Sequence, residues 1–147
     1  MALLHETRNS LERSFRLYRD FVAALPPDAL SRKLPGLRSN SIGAQLWCVV
    51  GARESYGRAL EAGRWSGFSC SLEDANDGAQ VVEALARSEE AVRAALEGAG
   101  AFDDPRNRLL LDLVEHEAAH QGQLIRYLYG LDLPIPASWR ERYALEP

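Results

Sequence analysis

The sequence predicts an all-α protein, a four-helix bundle with long connectors that cross over it. Three observations predict it. Apolar residues recur at three- and four-residue steps over four long stretches. Proline, glycine and short polar residues bound each stretch. No run of alternating polar and apolar residues competes with the helical period.

The first helix is expected over residues 4–25, where Leu4, Leu11, Phe15, Tyr18, Val22 and Leu25 share one face and Pro26-Pro27 ends it. Residues 26–40 form a connector with a short turn at 28–32. The second helix is expected over 41–62, with Ser39 or Asn40 as its cap and Gly63 as its stop. One stripe of it is Ile42, Leu46, Val49, Arg53, Tyr56 and Leu60. The neighbouring stripe, Gln45, Cys48, Ala52, Ser55 and Ala59, is small or polar and leaves space beside the helix. Residues 64–74 read as a loop. A third helix follows over 75–97, capped by Ser71 or Asp77, with Val82, Leu85, Val92 and Leu96 inward and Glu89 on the same seam. Asp103-Asp104-Pro105 opens the fourth, which runs to Tyr129 and stops at Gly130 by the left-handed route. The tail carries a last short turn, where Trp139 and Tyr143 pin it to the bundle or to a partner chain. The expected topology is up-and-down, with one or both long connectors crossing the bundle.

At 147 residues the chain is long enough for one domain, 1–147, with a real core, and 46% hydrophobic residues exclude disorder. A net charge of −4 offers no broad platform for nucleic acid, leaving at most a local basic patch at Arg32, Lys33 and Arg38. No apolar run approaches a membrane span, and the first ten residues lack the pattern of a signal peptide. Cys48 and Cys70 read as reduced thiols of a cytoplasmic protein.

Chemistry concentrates in the fourth helix. His116 and His120 are one turn apart, about 40° around the axis and about 6 Å along it. They lie on a seam with Leu109, Leu113, Gln123 and Tyr127, so both face inward or into a cleft. Two buried imidazoles on one turn cannot both carry charge cheaply; neutral rings sharing a metal are one solution, and hydrogen bonds across the bundle are the other. The string His116-Glu117-Ala118-Ala119-His120 matches the HExxH motif in form. A protease would also need a substrate groove lined by a strand edge, and no strand pattern exists. Glu117 is then either a general base near the site or a helix charge paired with Gln121 or a nearby arginine. Cys48 is the better candidate for a third ligand, since thiolate suits zinc, although the commonest fate of such a residue is an inert buried cysteine. His5 reads as a surface residue.

Two segments, SIGAQLWCVVGARESY at 41–56 and LLDLVEHEAAHQGQLIRYLY at 110–129, resemble the DinB/YfiT-like superfamily of four-helix metalloenzymes. The resemblance covers roughly residues 5–145. In that family the second helix supplies one histidine and the last core helix supplies HxxxH followed by a small residue and Gln, matched here by His116, His120, Gly122 and Gln123. Cys48 stands where the family has its helix-2 histidine. The resemblance implies a divalent metal on Cys48, His116 and His120, with zinc expected and nickel the alternative. It also implies thiol S-transferase or hydrolase chemistry on a small molecule, with a low-molecular-weight thiol as cosubstrate, and a homodimer. Gln45, Arg53, Tyr56 and Gln123 are the expected pocket residues. Arg53 would attract a carboxylate; its ordinary role would be an ion pair with Glu89 or the neighbours of Glu54. The competing reading is a non-catalytic, stress-related binding or structural bundle whose metal site has decayed at Cys48.

Overall fold

A computed structural model describes residues 2–147. The order of elements is α1 (Ala2–Ala23), a single 3-10 turn (Ala29–Ser31), α2 (Ile42–Ala62), α3 (Gly78–Gly98), α4 (Asp104–Gly130) and the short α5 (Ala137–Tyr143). There is no strand among the described residues, and the chain is an all-α, bundle-like fold. No described helix is long and apolar enough to cross a membrane.

The helix ends follow the local chemistry. Ser41 caps α2 by accepting from the Ala44 amide at 3.1 Å, and Ser39, expected in that role, accepts from the Leu34 amide at 2.9 Å. Asp77 caps α3 through the amides of Ala79 and Gln80, and Asp103 caps α4 through that of Arg106. Gly63 closes α2 in the left-handed conformation, at φ +76°. Gly130 does not close α4 that way. Leu131 and Leu133 are buried, and their burial carries the chain one more step before Asp132 turns it at φ +50°. Gly130 instead lies where a Cβ would come within 2.9 Å of the Leu34 side chain.

The helices α3 and α4 flank α2 on its two sides, and α1 rests against the same two helices and α5. The apolar interior is divided into two clusters. One gathers Leu17 and Phe21 with Ile42–Val50 residues of α2, Val81 and Leu85 of α3, and Leu124 and Leu128 of α4. The other gathers Leu11 and Phe15 with Ala59 and Leu60, Val92 and Leu96, and Leu109 and Leu113. Reading each helix from one cluster to the other gives its direction. α2 and α3 run from the first cluster to the second, whereas α1 and α4 run the opposite way. The simple up-and-down expectation is therefore corrected: α2 and α3 are parallel neighbours. Parallel neighbours need a connector that returns along the bundle, which is what residues 64–77 supply. The Ser69 amide donates to Ser55 Oγ at 3.0 Å, the Cys70 thiol donates to the Trp47 carbonyl at 3.3 Å, and Ala75 lies against Gly43. The connector thus retraces α2 from its last third to its first turn.

Val82, expected inward, is 55% exposed; Val81 takes the buried position instead. The helix starts at Gly78 rather than residue 75; Val81 stands four, seven and eleven residues before the buried Leu85, Ser88 and Val92 and so shares their face, whereas Val82 is turned about 100° from it. At the C-terminus, Trp139 is fully buried, donates from Nε1 to the Leu17 carbonyl at 2.7 Å, and meets the Tyr18 ring edge-on. The tail is anchored to its own bundle.

Gly43 tests the crossover. A Cβ there would fall 2.4 Å from the Ala75 carbonyl oxygen and 3.1 Å from that of Leu30, both backbone atoms that cannot swing aside. Gly43→Ala is expected to destabilise the fold by about 1–3 kcal/mol, read as a lower urea midpoint at unchanged slope.

Candidate metal centre

Helix α2 presents Cys48 and helix α4 presents His116 and His120 to the same half-buried spot. One donor atom from each lies within 4.8 Å of the other two. Cys48 Sγ lies 3.6 Å from His116 Nε2. A tetrahedral site with zinc's usual bonds to sulfur and nitrogen separates those two atoms by about 3.5 Å. The two imidazole rings are 4.5 Å apart between centroids. His120 Nδ1 is 2.5 Å from Gln45 Oε1. An amide oxygen only accepts, so this nitrogen carries the proton and the lone pair is left on Nε2. Gln45, one turn from Cys48 on the same stripe, thereby fixes both the tautomer and the ring orientation.

Electrostatics prepare the rings as neutral donors. Burial pushes the pKa of His116 down. Burial, followed by the neighbouring His116, pushes His120 down to about 4. Burial pushes the Cys48 thiol up. His116 Nδ1 is buried with no hydrogen-bond partner, so the ring's polar capacity is incompletely met by the protein. Soft sulfur, two neutral imidazoles and the matching separation together fit a divalent cation of the zinc type, held on His116 through Nε2.

The two residues expected beside this cluster as base and pocket arginine, Glu117 and Arg53, are instead partners of each other. Arg53 is fully buried and Glu117 is 2% exposed. Arg53 Nε donates to Glu117 Oε1 at 2.5 Å, and Nη2 donates to Oε2 at 3.1 Å. Arg53 Nη1 reaches Ser88 Oγ at 3.2 Å, and Ser14 Oγ donates to Glu117 Oε2 at 2.5 Å. Gln121 Nε2 donates to Ser14 Oγ at 2.7 Å, and the Tyr143 hydroxyl donates to Gln121 Oε1. The guanidinium also stacks over Phe15, 4.5 Å from its ring centre. Of the two readings open to Glu117, the structure has the pairing with a nearby arginine. Tyr56 lies two turns beyond Cys48, about 12 Å along the axis. It packs on Trp65 with ring centres 4.9 Å apart. Burial, then Asp112 and Glu115, push its phenol pKa up. Gln123 is exposed and shares a surface recess with Gln45.

Sequence reasoning missed Ser14 and Ser88 as members of this polar layer. Each carried a signal: Ser14 interrupts the inner face between Leu11 and Tyr18, and Ser88 sits between Leu85 and Val92. A small polar residue on an inner face, level with a charge on another inner face, marks a buried hydrogen-bond layer. Searched against family models, curated proteins and solved structures, the chain matches none of them.

Removing one half of a buried ion pair strands the other half in the core. Glu117→Ala is expected to cost about 3–5 kcal/mol of stability in a denaturant melt, and the double replacement Arg53→Met/Glu117→Leu is expected to cost less than Glu117→Ala alone.

Proposed function

We propose that the protein is a metal-dependent enzyme of the DinB/YfiT-like superfamily that acts on a small molecule. The observation that carries this reading is the convergence of Cys48, His116 and His120, with one donor atom of each within 4.8 Å of the others. Zinc is the cation the donor set suits best, with nickel second. Three protein ligands leave a tetrahedral ion one open position, which is the arrangement of a catalytic site. A cation there supplies Lewis acidity that favours the deprotonated form of a thiol or water.

The chain's own residues do the rest. Gln45 holds His120 with its Nε2 lone pair available. Burial keeps both rings neutral at pH 7 and so avoids a repelling positive pair. The crossing connector, with Phe68 packed on Trp47 at 5.2 Å between ring centres, covers the α2 side of the site. With Glu117 committed to Arg53, the reaction proposed uses a thiol nucleophile brought by a cosubstrate, and the transfer of that sulfur to an electrophile ranks ahead of hydrolysis. The second reading, a structural bundle with a decayed site, is favoured by the 3.6 Å contact between Cys48 and His116, which partly satisfies both groups with no cation.

Metal content decides between the two. Protein purified without a histidine tag is expected to hold about one equivalent of zinc, lost in both Cys48→Ala and His120→Ala. Stoichiometric metal in neither the wild type nor a zinc-reconstituted sample would leave the structural bundle standing. Gln45→Ala is expected to weaken zinc affinity by about 10–100-fold with all three ligands intact, measured by competition with a chromophoric chelator. Burial keeps the thiol protonated and the rings neutral, so zinc uptake at pH 7 is expected to release about one proton, and affinity rises with pH. Calorimetry in buffers of different ionisation heat reads that proton.

A further inference from the structure

One recess adjoins the metal centre and is not used by the chemistry above. It has a volume of about 300 Å³ and lies between the first connector, the start of α2 and the last third of α4. That volume is at the small end of the range for ligand pockets, about 300–1,000 Å³. Arg38 enters it from the connector and Arg126 from α4, with Asn40, Gln45 and Gln123 between them. No carboxylate lines it. Among the described residues, neither guanidinium takes part in an ion pair. The Tyr127 hydroxyl donates to the Asn40 carbonyl at 2.5 Å and fixes the connector to α4 at this point. Two exposed guanidiniums outside any ion pair and the side-chain amides of Asn40, Gln45 and Gln123, with no acidic group to compensate them, are donors that suit an oxyanion.

Gln45 belongs to both places. It is 4% exposed, it lines the recess, and its Oε1 holds the His120 ring. On α4, Arg126 is six residues beyond His120, about 9 Å along the axis. We infer that this recess binds the anionic end of the small molecule, a carboxylate or phosphate group seated between Arg38 and Arg126, with the reactive end directed past Gln45 toward Cys48, His116 and His120. The inference rests on the metal-centre reading for the direction of the substrate. The anion site itself rests on the recess alone. It makes the preferred substrate an anionic molecule.

The test uses the full chain, zinc-loaded and chelator-treated, titrated with succinate and with inorganic phosphate at constant ionic strength. Binding is followed by calorimetry and by the NMR signals of the Gln45 and Gln123 side-chain amides. At least one probe is expected to bind saturably and shift both amides. Arg38→Gln/Arg126→Gln is expected to raise its Kd by about tenfold or more while zinc stoichiometry and the unfolding midpoint stay unchanged. Tighter succinate binding assigns a carboxylate end, and tighter phosphate binding assigns a phosphoryl end. Equal affinity in the double variant, or saturation by neither probe, overturns the anion site even if zinc binds as proposed. Saturable, arginine-dependent binding to a chain that takes no zinc keeps the anion site and overturns the metal reading, so the two failures are distinct.

Discussion

The buried pair of Arg53 and Glu117 is the constraint on which the architecture depends. Two opposite charges in a core are stable only when they are paired closely and their remaining donors and acceptors are met. Here the requirement draws in every long helix. α2 supplies the arginine, α4 the carboxylate, α1 the Ser14 hydroxyl and α3 the Ser88 hydroxyl. A slip of any helix by one residue would turn its contribution about 100° away and leave a charged group unmet. The pair is a costly way to fill space, and a hydrophobic set of the same volume could be more stable. Its effect is to specify register, because an apolar cluster tolerates several alignments and this layer tolerates one.

That layer also sets the depth of the candidate metal centre. With Glu117 aimed at the middle of the bundle, residue 116 is rotated by about 100° toward one flank and residue 120 by about 60°. The flank they meet is α2, at Cys48. The ligands are therefore half-buried at the rim of the polar layer, and the ion pair occupies the fully dry centre. A site in that position combines neutral, desolvated ligands with an approach from solvent. It stands on side chains of two rigid helices, α2 and α4, not on loops, which keeps its geometry tight.

The crossover between α2 and α3 completes the site from outside. Because the two helices run parallel, the chain must return along α2, and its path passes over the turn that carries Trp47, Cys48 and Gly51. The first connector has no such distance to cover. Its length is used to carry Arg38 to the mouth of the recess beside α4. The two long connectors thus serve different ends of one site: the second covers it, and the first places charge at its edge.

The sequence by itself determined the four long helices and several of their ends, because helix periodicity, capping by Asp77 and Asp103, and the left-handed stop at Gly63 are local properties of the chain; the Ser41 cap of α2 and the end of α4 past Gly130 were set otherwise. It also marked His116, His120, Arg53 and Glu117 as polar positions among apolar ones, and Cys48 as part of a small or polar stripe. Only the tertiary structure decided their partners. A stripe shows that a residue faces inward, but which stripe it faces depends on how α2 and α4 are rotated and offset against each other, and that is set by long-range packing. For that reason Arg53 and Glu117 moved from pocket and catalytic roles into the core, Tyr56 moved away to Trp65, and Cys48 came to lie beside His116. The parallel course of α2 and α3, and the recess between Arg38 and Arg126, arise from segments far apart in the chain and leave no periodic trace in it.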